Sequence, residues 1–350
     1  MPGTQRHRSA TPICLLLAAS LLPAGCSPSR EKSERAQIAL GAVLFNDTTL
    51  SADGRTSCAS CHRADRAYTD GESVSTGTGG RKGTRNAPSL LDSRFMSRFF
   101  WDGRSETLEA TVVQPLTNSA EMGLPDERAV LARIASNARY SPLIKAVSPE
   151  REPDMDTVAA ALSAYIRSLP APPTRYEKYF ISEGASAQMT EDEVEGLALF
   201  SGKAGCADCH KLDTSPATTS DNRFHHAGIG FNQVAGNVAA LLDALAQQKK
   251  NGKTLGESIL SDVKFAELGR FAITQKPQDL GAFRTPSLRT VALTAPYMHD
   301  GSIADLASAV EHEVYYRNLA RDKPISLTAE EKHKLVLFLT ALSSTDDPPD

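Results

Sequence analysis

Cys58-Ala59-Ser60-Cys61-His62 and Cys206-Ala207-Asp208-Cys209-His210 decide how this 350-residue chain is read. The Cys-x-x-Cys-His pattern is the attachment signature of c-type haem. Two thiols at this spacing bond the two vinyl groups on one edge of a porphyrin. The next side chain then lies under the ring, where an imidazole can ligate iron. Disulfides, or a four-cysteine zinc site, would leave both trailing histidines without a purpose. Two motifs in one chain therefore predict two covalently attached haems, held by Cys58, Cys61 and His62 and by Cys206, Cys209 and His210.

Outward from the motifs, the surroundings repeat. Gly41-x-x-Leu44-Phe45 precedes the first and Gly196-x-x-Leu199-Phe200 precedes the second, a weak sign of duplication. Helical patterning dominates the rest. Thr190 with Glu193, and Thr328 with Glu331, read as capping boxes. Met155 to Leu169 reads as a helix stopped by Pro170, Asn237 to Lys250 as an amphipathic helix, and Glu330 to Leu342 as the last one. Pro170-Ala171-Pro172-Pro173 is the best linker. Long polar loops, Asp70 to Asn86 and Thr214 to Asn232, are expected to wrap the haems. The expected fold is mainly α, with two tandem cytochrome c-like haem domains.

Arg6, His7 and Arg8 followed by the apolar run Ile13 to Leu22 read as an export signal, because the run is too short to span a bilayer. Ala24-Gly25-Cys26 suggests lipidation of Cys26, although Pro23 fits that signal poorly; soluble periplasmic release stays equally open. The expected organisation is a signal over 1–25, a first haem domain over 26–172, a second over 173–342 and a disordered tail over 343–350. Hydrophobic residues are 41%, charged residues 23%, and 38 basic against 42 acidic residues leave a net charge of −4. That balance and the lack of a long basic run argue against a nucleic-acid partner.

Further motifs extend the pattern: Leu50-Ser51, Arg85-Asn86-Ala87-Pro88-Ser89-Leu90, Phe100-Trp101-Asp102-Gly103-Arg104, Glu121-Met122, Arg284-Thr285-Pro286-Ser287-Leu288-Arg289 and Thr294-Ala295-Pro296-Tyr297-Met298-His299-Asp300-Gly301. Through these, the chain from about Leu40 to Leu342 resembles the bacterial di-haem cytochrome c peroxidase family, in its MauG- or MbnH-like branch. The resemblance implies a peroxide-reacting first haem and an electron-relay second haem, with His62 and His210 as proximal ligands. It implies that Glu121 shuttles a proton during O–O cleavage and that Trp101 carries charge between the haems. It also implies a calcium ion held by Asn86 and the carbonyls of Thr294 and Pro296.

The departures from the family pattern are informative. The distal histidine of peroxidases that need reductive activation falls on Thr78, so the first iron is expected to have an open sixth position. The distal glutamine falls on Thr111. The sixth ligand of the second haem, methionine or tyrosine in relatives, falls on Glu313, and no methionine follows Met298. A tyrosine, Tyr315 or Tyr316, is the expected ligand, with Glu313, Met298 or an open site as alternatives. His225 and His226 read as a solvated loop pair rather than metal ligands, and His299 as structural. The resemblance implies an enzyme that uses hydrogen peroxide to oxidise residues of a partner protein through an oxidised two-iron state. A conventional peroxidase fed by a small redox protein, or a non-enzymatic electron carrier, are the other readings.

Overall fold

The computed structural model describes residues 28–182, 188–212, 218–319 and 322–344. The export segment with Cys26, and the tail beyond Ser344, lie outside the described residues. The fold is mainly α, with one two-stranded sheet among the described residues.

Two helix crossings carry the architecture, and they are built alike. In the first half, α1 (Pro28–Asn46) leads toward α2 (Cys58–Cys61), the first attachment motif, and α1 crosses α3 (Met155–Arg167). In the second half, α4 (Glu191–Ser201) leads to the second motif; α5 (Val238–Lys250) and α6 (Leu306–Asn318) follow, and α7 (Ala329–Thr340) crosses α4. The repeated glycines mark the crossings. A Cβ on Gly41 would run into the carbonyl of Ala161, and one on Gly196 into the carbonyl of Lys334. One turn on, Phe45 meets Tyr165 with ring centroids 5.1 Å apart, and Phe200 meets Phe338 at the same 5.1 Å. The glycine permits close backbone approach, and the aromatic pair fills the next layer.

The caps follow from local chemistry. Thr190 and Thr328 each accept a backbone N–H three residues on, while Glu193 and Glu331 accept the cap's own N–H, satisfying donors that a helix start leaves free. Asp154 caps α3 by accepting from Thr157 N.

Each half has its own apolar core. One runs from Leu40 to Leu169 and the other from Tyr176 to Leu342. A third, formed by Val234, Leu241, Phe265, Leu268 and Phe271, lies in the segment after the second motif. There β1 (Phe224–His226) pairs antiparallel with β2 (Ala282–Arg284), with His225 opposite Phe283. Arg289 joins the halves. Its Nε donates to Asp92 at 2.9 Å, its Nη atoms to Glu177 at 2.6 and 3.0 Å, and Nη1 also to the Pro172 carbonyl at 3.2 Å. Among the described residues no helix is long and apolar enough to cross a membrane.

Candidate functional site

The first motif begins with Ser57 and Ser60 closing a capping box, which holds Cys58–Cys61 as one helical turn. His62 follows, its Nδ1 2.9 Å from the Tyr68 carbonyl. A carbonyl only accepts, so Nδ1 carries the proton and Nε2 keeps its lone pair, the form an iron ligand needs. Tyr68 turns its carbonyl onto the ring with a left-handed φ of 59°. The second motif repeats the device. His210 Nδ1 lies 2.8 Å from the Thr219 carbonyl, and Thr219 has φ 47°. Burial lowers the pKa of His62 and brings His210 down to about 4, so both imidazoles are neutral at pH 7.

The two Pro-Ser-Leu motifs support these loops. Ser89 donates to the Ala67 carbonyl at 2.7 Å, beside Tyr68. Ser287 shares a 3.1 Å hydrogen bond with the Thr219 hydroxyl, which also accepts from Leu288 N at 2.6 Å. Each motif thus fixes the loop whose carbonyl orients the histidine of an attachment motif.

The four motif cysteines form no disulfides. Burial pushes Cys58 up to about 12 and Cys61 and Cys206 to about 11, which disfavours the thiolates a zinc site requires. Among the described residues no metal-ligand group unites the two pairs. The charged surroundings fit porphyrins instead. Arg85 Nε and Nη1 and Arg104 Nε are buried donors with no hydrogen-bond partner in the protein. Arg85 also lies 3.8 Å from Glu267 and Arg104 2.8 Å from Asp102, but the nitrogens left without a hydrogen bond are costly to bury and suit further carboxylates such as porphyrin propionates.

Glu121 lies close enough to both Cys58 and Cys61 to raise their pKa values. Burial lifts its own pKa to about 7, against the opposing charge of Arg104. Its backbone is fixed by Thr78, whose N–H donates to the Glu121 carbonyl at 2.7 Å. A Cβ on Gly77 would run into the Ala120 carbonyl, so glycine is what lets the two segments touch. Thr78, at the position of the family's distal histidine, is buried, and its hydroxyl accepts from Asp53 N at 3.2 Å. Thr111 is spent locally, its hydroxyl donating to the Thr107 carbonyl at 2.7 Å.

Trp101 sits between the halves. Its indole N–H donates to the Asn86 carbonyl at 2.9 Å, and its own carbonyl accepts from Arg284 N, on β2, at 2.8 Å. The Asn86 amide donates to the Glu72 carbonyl at 2.9 Å and the Pro296 carbonyl at 3.3 Å. Thr294 uses its hydroxyl on Val291 O. The carbonyl of Glu72 joins Asn86 and Pro296, and no motif marked it.

Around the second motif, Tyr315 on α6 is 66% exposed. Tyr316 is partly buried. Its ring lies over Gly228 and is stacked with that of His312. Met298 occupies the turn between Tyr297 and Ile303, with φ 74°. His225 is exposed, as expected, but lies on β1, pairs with Asp221 at 2.8 Å and lies next to Cys209. That group contains an attachment thiol and belongs to the second centre. His299 is buried, 2.9 Å from Glu267 and stacked on Phe283 at 3.6 Å.

Two haem-attachment sites on crossed helix pairs, with carbonyl-oriented histidines, define a di-haem c-type cytochrome. Residues 35–185 match the family model described as di-haem cytochrome c peroxidase. The cytochrome-c peroxidase IdrP1 of Denitromonas iodatirespirans is 33% identical over 89% of this chain and 84% of its own. The methylamine utilization protein MauG of Methylorubrum extorquens is 31% identical over 88% of this chain and 78% of its own. The crystal structure of a MauG-like protein associated with microbial copper homeostasis superposes with TM-score 0.71 and 32% identity, covering 89% of this chain and 90% of that one. The chain belongs to the di-haem cytochrome c peroxidase/MauG family, and it is a haem-dependent oxidoreductase carrying two c-type haems.

Proposed function

We propose that the protein acts in the periplasm, where hydrogen peroxide reacts at the haem on Cys58, Cys61 and His62, and that the oxidising equivalents are passed to a residue of a partner protein, as in the MauG-like branch. The observation that carries this reading is the pairing of Glu121, poised near pH 7, with Thr78 where a histidine would close the iron. When bound, the haems supply the iron at which peroxide is cleaved and the redox couple that takes up charge. Glu121 takes the proton from the peroxide oxygen nearer the iron and returns it to the far oxygen, which leaves as water. Trp101, hydrogen-bonded to both halves, connects the two centres.

The names of relatives, which include a cytochrome-c peroxidase, favour a second reading: reduction of peroxide with electrons from a small redox protein. Peroxide added to the diferric holoprotein separates the two. The first reading predicts that both haem spectra change together without any donor, and that Trp101→Phe keeps both haems but uncouples the second from the first. Rapid steady-state turnover with a reduced cytochrome, and no joint oxidation, would contradict it.

We also place a calcium ion between the halves, at Asn86, Thr294 and Pro296, with the Glu72 carbonyl as a further ligand. Rotating the Asn86 amide would bring three oxygens together, a set that suits a hard cation. A chelator is expected to lower the protein's thermal midpoint, and added calcium to restore it; no effect in protein shown to be calcium-loaded would count against the site.

A further inference from the structure

We propose that Glu313, rather than either tyrosine, is the side chain of α6 that would join His210 as a ligand of the second haem iron. This rests on the reading that Cys206, Cys209 and His210 hold that haem. Leu306, Val310, Glu313 and Arg317 recur at spacings of four, three and four, one stripe of a helix. Leu306 and Val310 pack against the same buried core as Cys206 and Ala207. Arg317 donates to the Ala204 carbonyl and to Asp208, each at 3.1 Å. Glu313 lies between them on the same stripe, so its carboxyl is directed at the same loop, and its charge reaches Cys206.

The tyrosines are placed otherwise. Tyr315 follows Glu313 by two residues, about 200° round the helix and so on the opposite face, and is 66% exposed. Tyr316 has its ring over Gly228 and its neighbour His312 tied to the Ala227 carbonyl at 2.7 Å. Glu313 has no hydrogen bond among the described residues, and burial holds its pKa above the usual carboxylate range. A partly buried carboxylate without a donor has lone pairs to give to a metal. As an anionic oxygen ligand it would favour oxidised iron, where methionine raises the potential.

The test uses the holoprotein and its Glu313→Gln, Glu313→Met, Tyr315→Phe and Tyr316→Phe variants. Haem content, ferric electron paramagnetic resonance and redox-titrated absorption are read for each. Both Tyr→Phe variants should keep the second haem's signal and midpoint. Glu313→Gln should change the ferric signal of that haem alone and raise its midpoint. Glu313→Met should raise it further and bring in the charge-transfer band of methionine-ligated ferric haem. Loss of the second-haem signature in Tyr316→Phe would overturn the inference. So would an unchanged signature in Glu313→Gln or, should that variant not assemble, in Glu313→Met. A wild-type protein with one haem per chain would overturn the di-haem reading itself, and this inference with it.

Discussion

Replacing Glu121 by Gln is expected to slow the reaction with peroxide by roughly 10²–10⁴-fold, the usual contribution of a positioned proton-transfer group. Haem content and the resting spectrum should be unchanged. Gln keeps the size and leaves the Thr78 N–H bond to the residue 121 carbonyl in place, but it cannot take up a proton. The pH profile gives an independent reading. Glu121 must be ionised to accept the first proton, and burial holds its pKa near 7. The wild-type rate should therefore rise with pH through about 7 and level off above it. In Glu121→Gln that limb should vanish, leaving a low, flat rate. Stopped-flow measurement of the first haem's spectral change at several pH values checks both. A rate that falls as pH rises through this range would remove Glu121 from the base role.

Arg289→Ala should give the largest loss of stability. Arg289 is buried, as are its partners Asp92 and Glu177. Truncation would remove the guanidinium that faces both buried carboxylates, and breaking a buried pair costs about 3–5 kcal/mol. It would also release the Pro172 carbonyl in the linker. At this chain length that corresponds to a thermal midpoint lower by roughly 4–7 °C. Arg289→Lys should recover only part of the loss, because an ammonium cannot present the guanidinium fork that meets Glu177 with two nitrogens. Calorimetry of the two holoproteins decides it; a midpoint within about 2 °C of wild type for Arg289→Ala would show that the pair is dispensable.

Local signals were legible in the sequence wherever chemistry is local. The attachment motifs, the capping boxes at Thr190 and Thr328, and the helix stopped at Pro170 depend on residues a few positions apart. The Gly41 and Gly196 repeats were visible as letters, but their meaning was not: each glycine acts through a carbonyl on a helix more than a hundred residues away. The same limit hid Arg289, whose partners lie 112 and 197 positions off, and the Glu72 carbonyl, because backbone oxygens carry no sequence mark. Tyr315 and Tyr316 are both candidates from the sequence, with helical facing slightly preferring Tyr316, and their different exposure on α6 appears only in the structure. The third core around Phe265 escaped because its helices after α5 are short: Leu255–Ser261, Val263–Ala266 and Phe271–Thr274 show too few turns for a periodic pattern.

The most direct measurement is haem quantification combined with electron paramagnetic resonance of the resting diferric protein. Two haems per polypeptide, with one high-spin signal from an iron whose distal face is open beside Glu121 and a separate signal from the second centre, is the predicted result. A single haem, or a first iron already low-spin with two strong side-chain ligands, would contradict it.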